Sequence, residues 1–486
     1  MVYKHGVYTS EVPTSIISST TATAGLQVVV GTAPINIASS LEYVNKPFLA
    51  SNFNEAKDAL GYSDDWKNYT LCEVMDSSFR LFGVAPVVFI NVLDPVKHSS
   101  YISDKEIQIL SKKAVINEEG ILLDTLEVKL TDEGDSLSDN LEPNTDYIAS
   151  FDEKGHVVIA IVPTGSIPPS QTKLFVDYSK LNPSLVTNSD IIGSFDVATG
   201  ATTGMELINS VFPKFGLVPG QILAPKYSTI PTIEAVMKAK ASNINSFFKA
   251  IALVDVETNI ANNYTKVGGW KEQFNYTAPN EIVCWPKVAL GEKVYHLSTQ
   301  IAGCNSLADS LNSDVPYVTP SNQSLHMNKL VLDTGQEVFI GPDQANYLNG
   351  QGVVTALNFK DGWKAWGSRT GAYPSNKDVK DSYIPVRRMH DWVGNSIILS
   401  TWNKVDSPIS RRLIDSIVDT LNIWLNGLIN DGALVGGRVE FRPDDNPIED
   451  MINGTVRFRV YLAEPVPAEN IEFILEFDAT YYNNLF

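Results

Sequence analysis

Two side chains in the central part of the sequence have the types that a hydrolase needs. His296 and Ser298 are separated by one residue, where strands and helices are expected to alternate. An imidazole beside a hydroxyl is the pair that activates a serine nucleophile. The same spacing also places Ser298 near the start of a helix, and we favour this structural interpretation. A hydrolase on the central segment is kept as an alternative.

The rest of the sequence offers no other chemistry. It contains no Gly-x-Ser-x-Gly, His-Glu-x-x-His, Gly-x-x-x-x-Gly-Lys or Gly-x-Gly-x-x-Gly pattern that would indicate a nucleophile elbow, a zinc site or a phosphate loop. None of the histidines has a second ligand at metal spacing. We therefore expect no catalytic residues, no metal site and no cofactor. The histidines are His5, His98, His156, His296, His326 and His390.

Composition excludes several classes of function. The 486 residues include 37 Lys and Arg against 56 Asp and Glu, a formal charge of −19, which should repel nucleic acid. The three cysteines, Cys72, Cys284 and Cys304, are too few and too scattered for a disulfide framework, as in proteins of a reducing compartment. The N-terminus lacks an apolar signal core, and no apolar stretch is long enough to span a membrane. Cytoplasmic synthesis without direct membrane insertion is expected.

Hydrophobic periodicity predicts an α/β layer built from two separated segments. Residues 26–34, a helix from Ser51 to Gly61, a helix from Thr70 to Gly83 and the apolar run 87–92 give the order β-α-α-β. The alternation resumes after Gly193, which favours a largely parallel sheet covered on both faces. The later strands are predicted at 221–224, 250–256, 282–285, 338–340 and 353–357, with helices at 232–242 and after His296.

The intervening residues 98–188 alternate in a strand-like manner between acidic and proline-rich turns, and they predict a small all-β insertion. The last section predicts a helix from Ser407 and Pro408 to Gly432, with Ile414, Ile417, Leu421, Trp424 and Leu428 at helical spacing. Two strands, 455–462 and 471–481, should close the sequence.

Both ends of the sequence predict extended segments. The first 25 residues are rich in Thr, Ser and Val without a helical period. The final strand places its apolar residues on one face and Glu472, Glu476 and Asp478 mostly on the other. Such a strand either folds back on its own domain or joins the sheet edge of a neighbour. The apolar face consists of Ile471, Phe473, Leu475, Phe477 and Tyr481.

Short segments in a fixed order along nearly the whole chain resemble those of contractile phage tail sheath proteins and the related sheaths of R-type contractile bacteriocins. Each segment is short, but their joint order is specific. No motif covers residues 98–188. The matching segments are Tyr3-Lys-His-Gly-Val-Tyr8, Glu11-Val-Pro13, Val30-Gly-Thr-Ala-Pro34, Tyr69-Thr-Leu71, Ile222-Leu-Ala-Pro225, Trp285-Pro-Lys-Val288, Trp366-Gly-Ser-Arg-Thr-Gly371, Val386-Arg-Arg-Met389, Gly436-Gly-Arg-Val439 and Pro467-Ala-Glu-Asn-Ile-Glu-Phe473.

The resemblance implies an α/β and α+β multidomain chain: a subtilisin-like α/β central domain without a working triad, an inserted small β-sandwich and a C-terminal α/β domain that faces an inner tube. Extended arms are expected at both ends. The implied parts are an N-terminal arm (1–25), the two parts of the α/β sheath domain (26–97 and 189–366), the inserted all-β domain (98–188), the C-terminal tube-facing domain (367–468) and a C-terminal arm (469–486).

The resemblance also implies a function that needs no chemistry. The chain would be a structural subunit that polymerises as stacked hexameric rings around an inner tail tube and contracts to drive that tube through a cell envelope. Its partners would be itself, the tube protein, the baseplate and the tail terminator. We expect it in the host cytoplasm during assembly and then in a phage tail or a released phage-tail-like particle. A static shell or lattice protein is a further alternative.

Particular residues are expected to make these contacts. The arms would donate strands to neighbouring subunits through Ile471, Phe473, Leu475, Phe477 and Tyr481 at the C-terminus and through Val7, Tyr8 and Val12 at the N-terminus. The receiving strand would present Val456, Phe458 and Val460 on one face and Arg457 and Arg459 on the other. Arg411 and Arg412, in the first turn of the predicted helix, are candidates for contact with the tube.

Overall fold

A computed structural model describes residues 21–131 and 140–484. The chain divides into two compact units. The larger unit contains the described residues of Thr23–Trp392 and Pro465–Phe486, and the smaller contains Val393–Glu464 with Ala22. Among the described residues, no helix combines the length and the apolar character that crossing a membrane requires.

The strands and helices follow the alternation that the sequence predicts. The strands are β1 (Gln27–Gly31), β2 (Pro47–Ala50), β3 (Val87–Asn91), β4 (Ser99–Leu110), β5 (Lys113–Ile116), β6 (Glu127–Lys129), β7 (Asn140–Leu141), β8 (Tyr147–Phe151), β9 (Val157–Ile161), β10 (Lys173–Leu181), β11 (Gln221–Leu223), β12 (Ile251–Asp255), β13 (Glu281–Cys284), β14 (Lys287–Leu290), β15 (Lys293–Tyr295), β16 (Lys329–Val331), β17 (Glu337–Val338), β18 (Val353–Asn358), β19 (Trp363–Trp366), β20 (Gly436–Glu440) and β21 (Arg459–Ala463). The α-helices are α1 (Phe53–Leu60), α2 (Thr70–Val74), α3 (Asn188–Ile192), α4 (Val211–Phe215), α5 (Pro231–Ser242), α6 (Tyr264–Gln273), α7 (Leu297–Leu311), α8 (Pro342–Asn349), α9 (Val379–Ser382), α10 (Ile384–Thr401), α11 (Arg411–Asn430) and α12 (Ile448–Ile452).

An eight-stranded sheet forms the centre of the larger unit, in the order β19-β18-β13-β12-β11-β1-β3-β2. Its six inner strands are parallel, and the edge strands β2 and β19 are antiparallel to their neighbours. β1, β3, β12 and β13 are buried along their whole length, as expected for strands covered on both faces. The predicted alternation of strands and helices is confirmed.

Two parts of this region differ from the sequence expectation. The edge strand β2 was not predicted, because the four residues Pro47–Ala50 are too few to show a period. The predicted strand at 338–340 does not join the parallel sheet. Only Glu337–Val338 is extended, and it lies in a separate antiparallel sheet of order β15-β14-β16-β17.

The strands between Ser99 and Leu181 form one seven-stranded antiparallel sheet, in the order β7-β6-β10-β4-β5-β9-β8. Alternating side chains from these strands build a separate hydrophobic core. The fully buried centre of that core includes Ile116, Val128, Val157 and Tyr178. This is the all-β character that the alternating pattern predicts.

Helix α10 begins inside the larger unit. Its residues Ile384, Val386, Met389 and Trp392 are buried. Arg388 lies beside Asp309 of α7, with Nη1 donating to Oδ1 at 3.1 Å, and both side chains are almost completely buried. Residues 367–392, which the sequence analysis grouped with the C-terminal domain, therefore pack within the larger unit.

The smaller unit consists of the long amphipathic helix α11 and the antiparallel pair β20–β21. The predicted N-cap at Ser407 is wrong. The helix begins at Arg411, because the hydroxyl of Ser410 accepts the backbone N–H of Leu413 at 3.2 Å and so caps the first turn. The predicted strand 455–462 is shifted to Arg459–Ala463.

The buried pair of Arg388 and Asp309 predicts a strong and specific loss of stability. Burial raises the pKa of Asp309, and Arg388 opposes that effect. Arg388→Met leaves a buried carboxylate without its cation and should lower the free energy of unfolding of the larger unit by roughly 3–5 kcal/mol. Arg411→Met removes an exposed pair with Asp415 from the smaller unit and should change the free energy of unfolding of that unit by less than about 1 kcal/mol. Denaturant titration of both variants checks this, and equal shifts would contradict it.

Candidate interaction site

The histidine and serine singled out in the sequence are both buried, but they bind different carboxylates. His296 Nδ1 lies 2.8 Å from Glu73 Oε2, and its Nε2 accepts the backbone N–H of Lys226 at 3.1 Å. The Ser298 hydroxyl donates to Asp255 Oδ2 at 2.5 Å. Because both ring nitrogens are bound elsewhere, the imidazole is not placed to accept the proton of Ser298. The pair is not arranged as a base and its nucleophile.

The two carboxylates instead fix the first turn of α7. Asp255, the last residue of β12, accepts the backbone N–H of Ser298 at 3.1 Å, and Glu73 accepts that of His296 at 2.6 Å. Negative charge is favourable at a helix N-terminus. Burial raises the pKa of Asp255, while the nearby His296 and Ser298 oppose that effect. In the part of the chain that the structure describes, no group of three or more His, Cys, Asp or Glu side chains could hold a metal ion.

The C-terminal segment does not form the strand predicted at 471–481. Residues 464–478 have no regular secondary structure. The segment nevertheless exposes a series of large apolar side chains, including Phe473 at 84% and Leu475 at 94%. A strand needs a neighbour for its backbone groups, and the described part of the same chain supplies none. The predicted N-terminal arm residues Val7, Tyr8 and Val12 lie outside the described residues.

The two-stranded sheet of the smaller unit has one covered edge and one open edge. The side-chain amide of Asn422 on α11 caps β20, donating to the carbonyl of Val439 at 3.0 Å and accepting its N–H at 2.9 Å. Val439 lies opposite Val460 of β21. Because the backbone groups of Val439 point away from β21, those of Val460 point away from β20. Among the described residues, Val460 and Leu462 therefore face an edge without a further strand.

An apolar groove of about 620 Å³ lies beside this open edge. The even-numbered side chains of the segment leading into β21 form one wall, and α11 with the end of α10 forms the other. Residues 455–458 are not part of the strand, because the side chain of Asn446 binds the backbone of Arg457 at both its N–H and its carbonyl. The apolar lining includes Ile397, Leu413, Ile414, Ile417, Leu421, Val456, Phe458 and Val460.

The arginines predicted on the other face of this strand already have partners within the smaller unit. Arg457 pairs with Asp450, and Arg459 binds Asp445 through two guanidinium nitrogens. The guanidinium of Arg459 holds the pKa of Asp445 below its usual value. These pairs are half exposed, so each contributes little to stability.

Arg411 and Arg412 occupy the first turn of α11, and both are exposed. Arg411 Nε lies 3.4 Å from Asp415 Oδ2, one turn along the same helix. Positive charge is unfavourable at a helix N-terminus, and a single exposed pair at this spacing offsets that effect only weakly.

Comparison with known proteins finds tail sheath proteins similar to this chain, although no protein-family model matches it. The tail sheath protein of Burkholderia phage BcepMu is 27% identical over 99% of this chain and 98% of its own length. The putative prophage major tail sheath protein of Pseudomonas aeruginosa (strain UCBPP-PA14) is 25% identical over 59% of this chain and 72% of its own length. The predicted resemblance to contractile tail sheath proteins is confirmed.

Solved sheath structures share the fold of this chain. The helical sheath of the anti-feeding prophage in its contracted state superposes with a TM-score of 0.55 at 17% identity, covering 99% of this chain and all of that one. The contracted sheath complex of the extracellular contractile injection system PVC also gives 0.55, at 14% identity over 99% of both chains. The mixed α/β multidomain fold predicted from the sequence is confirmed.

The apolar faces were predicted from the sequence, but the two asparagines that bind backbone groups at the edge of β20 and before β21 were not. Asn422 caps β20, and Asn446 makes β21 begin later than predicted. An asparagine in the middle of a regular amphipathic helix is unfavourable on propensity, so Asn422 was a signal that could have been used. Asn446 lies in a turn, where asparagine is common and carries no such signal.

Proposed function

We propose that this tail sheath subunit polymerises as stacked hexameric rings around an inner tail tube, and that its arms donate strands to neighbouring subunits. The sheath then contracts and drives the tube through a target envelope. The observation that carries the proposal is the combination, in one chain, of an open sheet edge beside an apolar groove and an unpaired apolar C-terminal segment. The open edge could accept a further strand, and the C-terminal segment could form a strand if a sheet edge were available.

The open edge suits an added strand. The outward backbone groups of Val460 and Leu462 can bind the backbone of an extended segment, as in β-strand addition. The apolar face of residues 471–481 would then lie towards the groove next to Leu421. The C-terminal arm of a neighbour would occupy this edge directly or one strand away, with the N-terminal arm as the second donated strand.

The free energies of arm binding favour a lattice over a single contact between two subunits. A strand of about eight residues gains backbone hydrogen bonds of about 0.5–1.5 kcal/mol each. Each large apolar side chain that it buries adds about 1.5–3 kcal/mol. Ordering the arm costs about 1–2 kcal/mol per residue. These terms nearly cancel for a single arm, so a lattice joined by two arms per subunit gains stability through effective concentration.

The apolar face rather than charge should set the register of the donated strand. Glu472 and Glu476 would share a face with Arg457 and Arg459, but both arginines already bind aspartates of their own unit. A slip by one residue would instead turn Glu476 towards the groove. Burial of the Glu476 carboxylate would be unfavourable, and this cost disfavours the shifted register.

The first turn of α11 is proposed to dock on an acidic surface of the inner tube. Arg411 and Arg412 are exposed where the helix itself disfavours positive charge, and a negatively charged partner would remove that penalty. The baseplate and the tail terminator would contact the ends of the polymer. The subunit would assemble in the host cytoplasm and remain in a phage tail or a phage-tail-like particle.

An enzymatic role has no support from the buried cluster, since Ser298 and His296 serve separate carboxylates. The named relatives are tail sheath proteins, which suggests a structural role. Long and short forms of the same polymer in electron micrographs would separate a contractile sheath from a static lattice.

The proposed strand donation predicts that two substitutions on opposite faces of the C-terminal segment have unequal effects on polymerisation. Phe473→Asp should block polymerisation, because the donated strand would bury an unpaired charge. Glu476→Gln, on the opposite face, should reduce the polymer yield only slightly. Both positions are exposed in the monomer, so neither variant should lower its thermal stability. Sedimentation of both variants in one assembly assay measures the yield, and normal polymers from Phe473→Asp would contradict strand donation.

The tube contact predicts a defect in decoration without a defect in folding. The double variant Arg411→Glu, Arg412→Glu should fail to coat inner tubes, while the favourable placement of acidic side chains at the helix N-terminus should preserve its thermal midpoint. Lys360→Glu with Lys377→Glu makes the same change of charge at exposed positions of the larger unit and serves as the control. Electron microscopy of the purified variants mixed with tubes measures decoration. Equal decoration of tubes by the two double variants would contradict a contact between these arginines and the tube.

A further inference from the structure

Two segments that the sequence analysis singled out meet in the structure at one ion pair. Arg369 donates from Nε to Glu469 Oε1 at 2.9 Å and from Nη2 to Oε2 at 2.5 Å. The hydroxyl of Ser368 donates to the same carboxylate at 2.7 Å, and the hydroxyl of Tyr383 lies 3.3 Å from it. Ser368, Arg369, Tyr373 and Tyr383 are called the Arg369 socket below.

The guanidinium of Arg369 is also oriented by contacts that do not involve Glu469. It stacks on the ring of Tyr383 at 3.6 Å and on that of Tyr373 at 4.5 Å, and its Nη1 donates to the hydroxyl of Ser382 at 3.2 Å. Its side chain is only 17% exposed. A planar, pre-oriented guanidinium binds a carboxylate through two parallel hydrogen bonds with little loss of side-chain freedom.

Glu469 marks the point at which the C-terminal segment leaves the body of the larger unit. At this residue the carboxylate of Glu469 accepts five side-chain hydrogen bonds from the Arg369 socket. Two residues later, Ile471 is 70% exposed, and Phe473 and Leu475 are more exposed still. The boundary between the anchored and the exposed parts of the segment is therefore sharp.

We propose that Arg369 is a positioning residue for assembly: its socket anchors the root of the C-terminal arm and fixes the point from which residues 471–482 reach a second copy of the chain. This inference rests on the proposed strand donation. Twelve extended residues reach about 40 Å, and a fixed root restricts where they can reach. Without the anchor, residues 465–470 would have to be ordered again during assembly, which weakens binding by loss of preorganisation.

The anchor can be tested with a nitroxide label on the arm root. Cys72, Cys284 and Cys304 are buried, so a label directed to Asn470→Cys reacts at one exposed site. In this background, Glu469→Gln should make the label more mobile and raise the critical concentration for polymerisation by roughly tenfold, the effect expected for lost charged hydrogen bonds. Glu472→Gln makes the same chemical change beyond the socket and should alter neither quantity.

A conservative change in the socket separates positioning from folding. Arg369→Lys keeps the charge but loses the planar fork and its stacking, so its label mobility and critical concentration should lie between those of the parent and of Glu469→Gln. The thermal midpoint of Glu469→Gln should match that of the parent. An immobile label in Glu469→Gln, or a mobile label with unchanged polymerisation, would overturn the positioning role.

Truncation distinguishes a failure of this inference from a failure of strand donation. Deleting residues 471–486 leaves the socket and Glu469 intact and should abolish polymerisation. If the truncated chain polymerises normally, strand donation is wrong and the positioning role falls with it. If truncation blocks assembly while Glu469→Gln assembles like the parent, strand donation stands and the anchor proposal is wrong.

Discussion

The organisation of this sheath subunit depends on one constraint: the backbone groups of every β-strand must be hydrogen-bonded on both sides. Backbone N–H and carbonyl groups that leave water must be paired, so a sheet edge is either covered, solvated or completed by another chain. In the smaller unit, Asn422 covers one edge of the two-stranded sheet, whereas Val460 and Leu462 face the other. The chain also carries an apolar segment without a strand partner among its described residues. An open sheet edge and an apolar segment without a strand partner are the two features on which the proposed strand donation rests.

In the larger unit, by contrast, several buried charged side chains have partners within the unit. Glu73 and Asp255 accept hydrogen bonds from the first turn of α7, and Asp309 holds Arg388 of α10. Buried charges arranged in this way disfavour alternative packings, since breaking one pair leaves an unpaired charge. The proposed assembly contacts lie instead in the C-terminal segment and in the smaller unit.

The sequence predicted the elements whose signals are local. Apolar runs located β1, β3, β12 and β13, and helical spacing located α5, α7 and α11. Other features depend on particular contacts that a hydrophobic pattern does not show: β2 pairs with β3, the hydroxyl of Ser410 caps α11, and the side chain of Asn446 delays the start of β21. The alternation in 471–481 predicts an amphipathic strand, but alternation alone does not say whether a partner strand is present.

The most direct test is an electron cryo-microscopy map of the assembled polymer at side-chain resolution. The account predicts that residues 471–481 of one subunit form a strand in the sheet of another, at or one strand away from the edge of Val460 and Leu462, with Phe473 turned towards the groove beside Leu421. A map in which this segment pairs with its own subunit, or lies away from the smaller unit of every neighbour, would contradict the account.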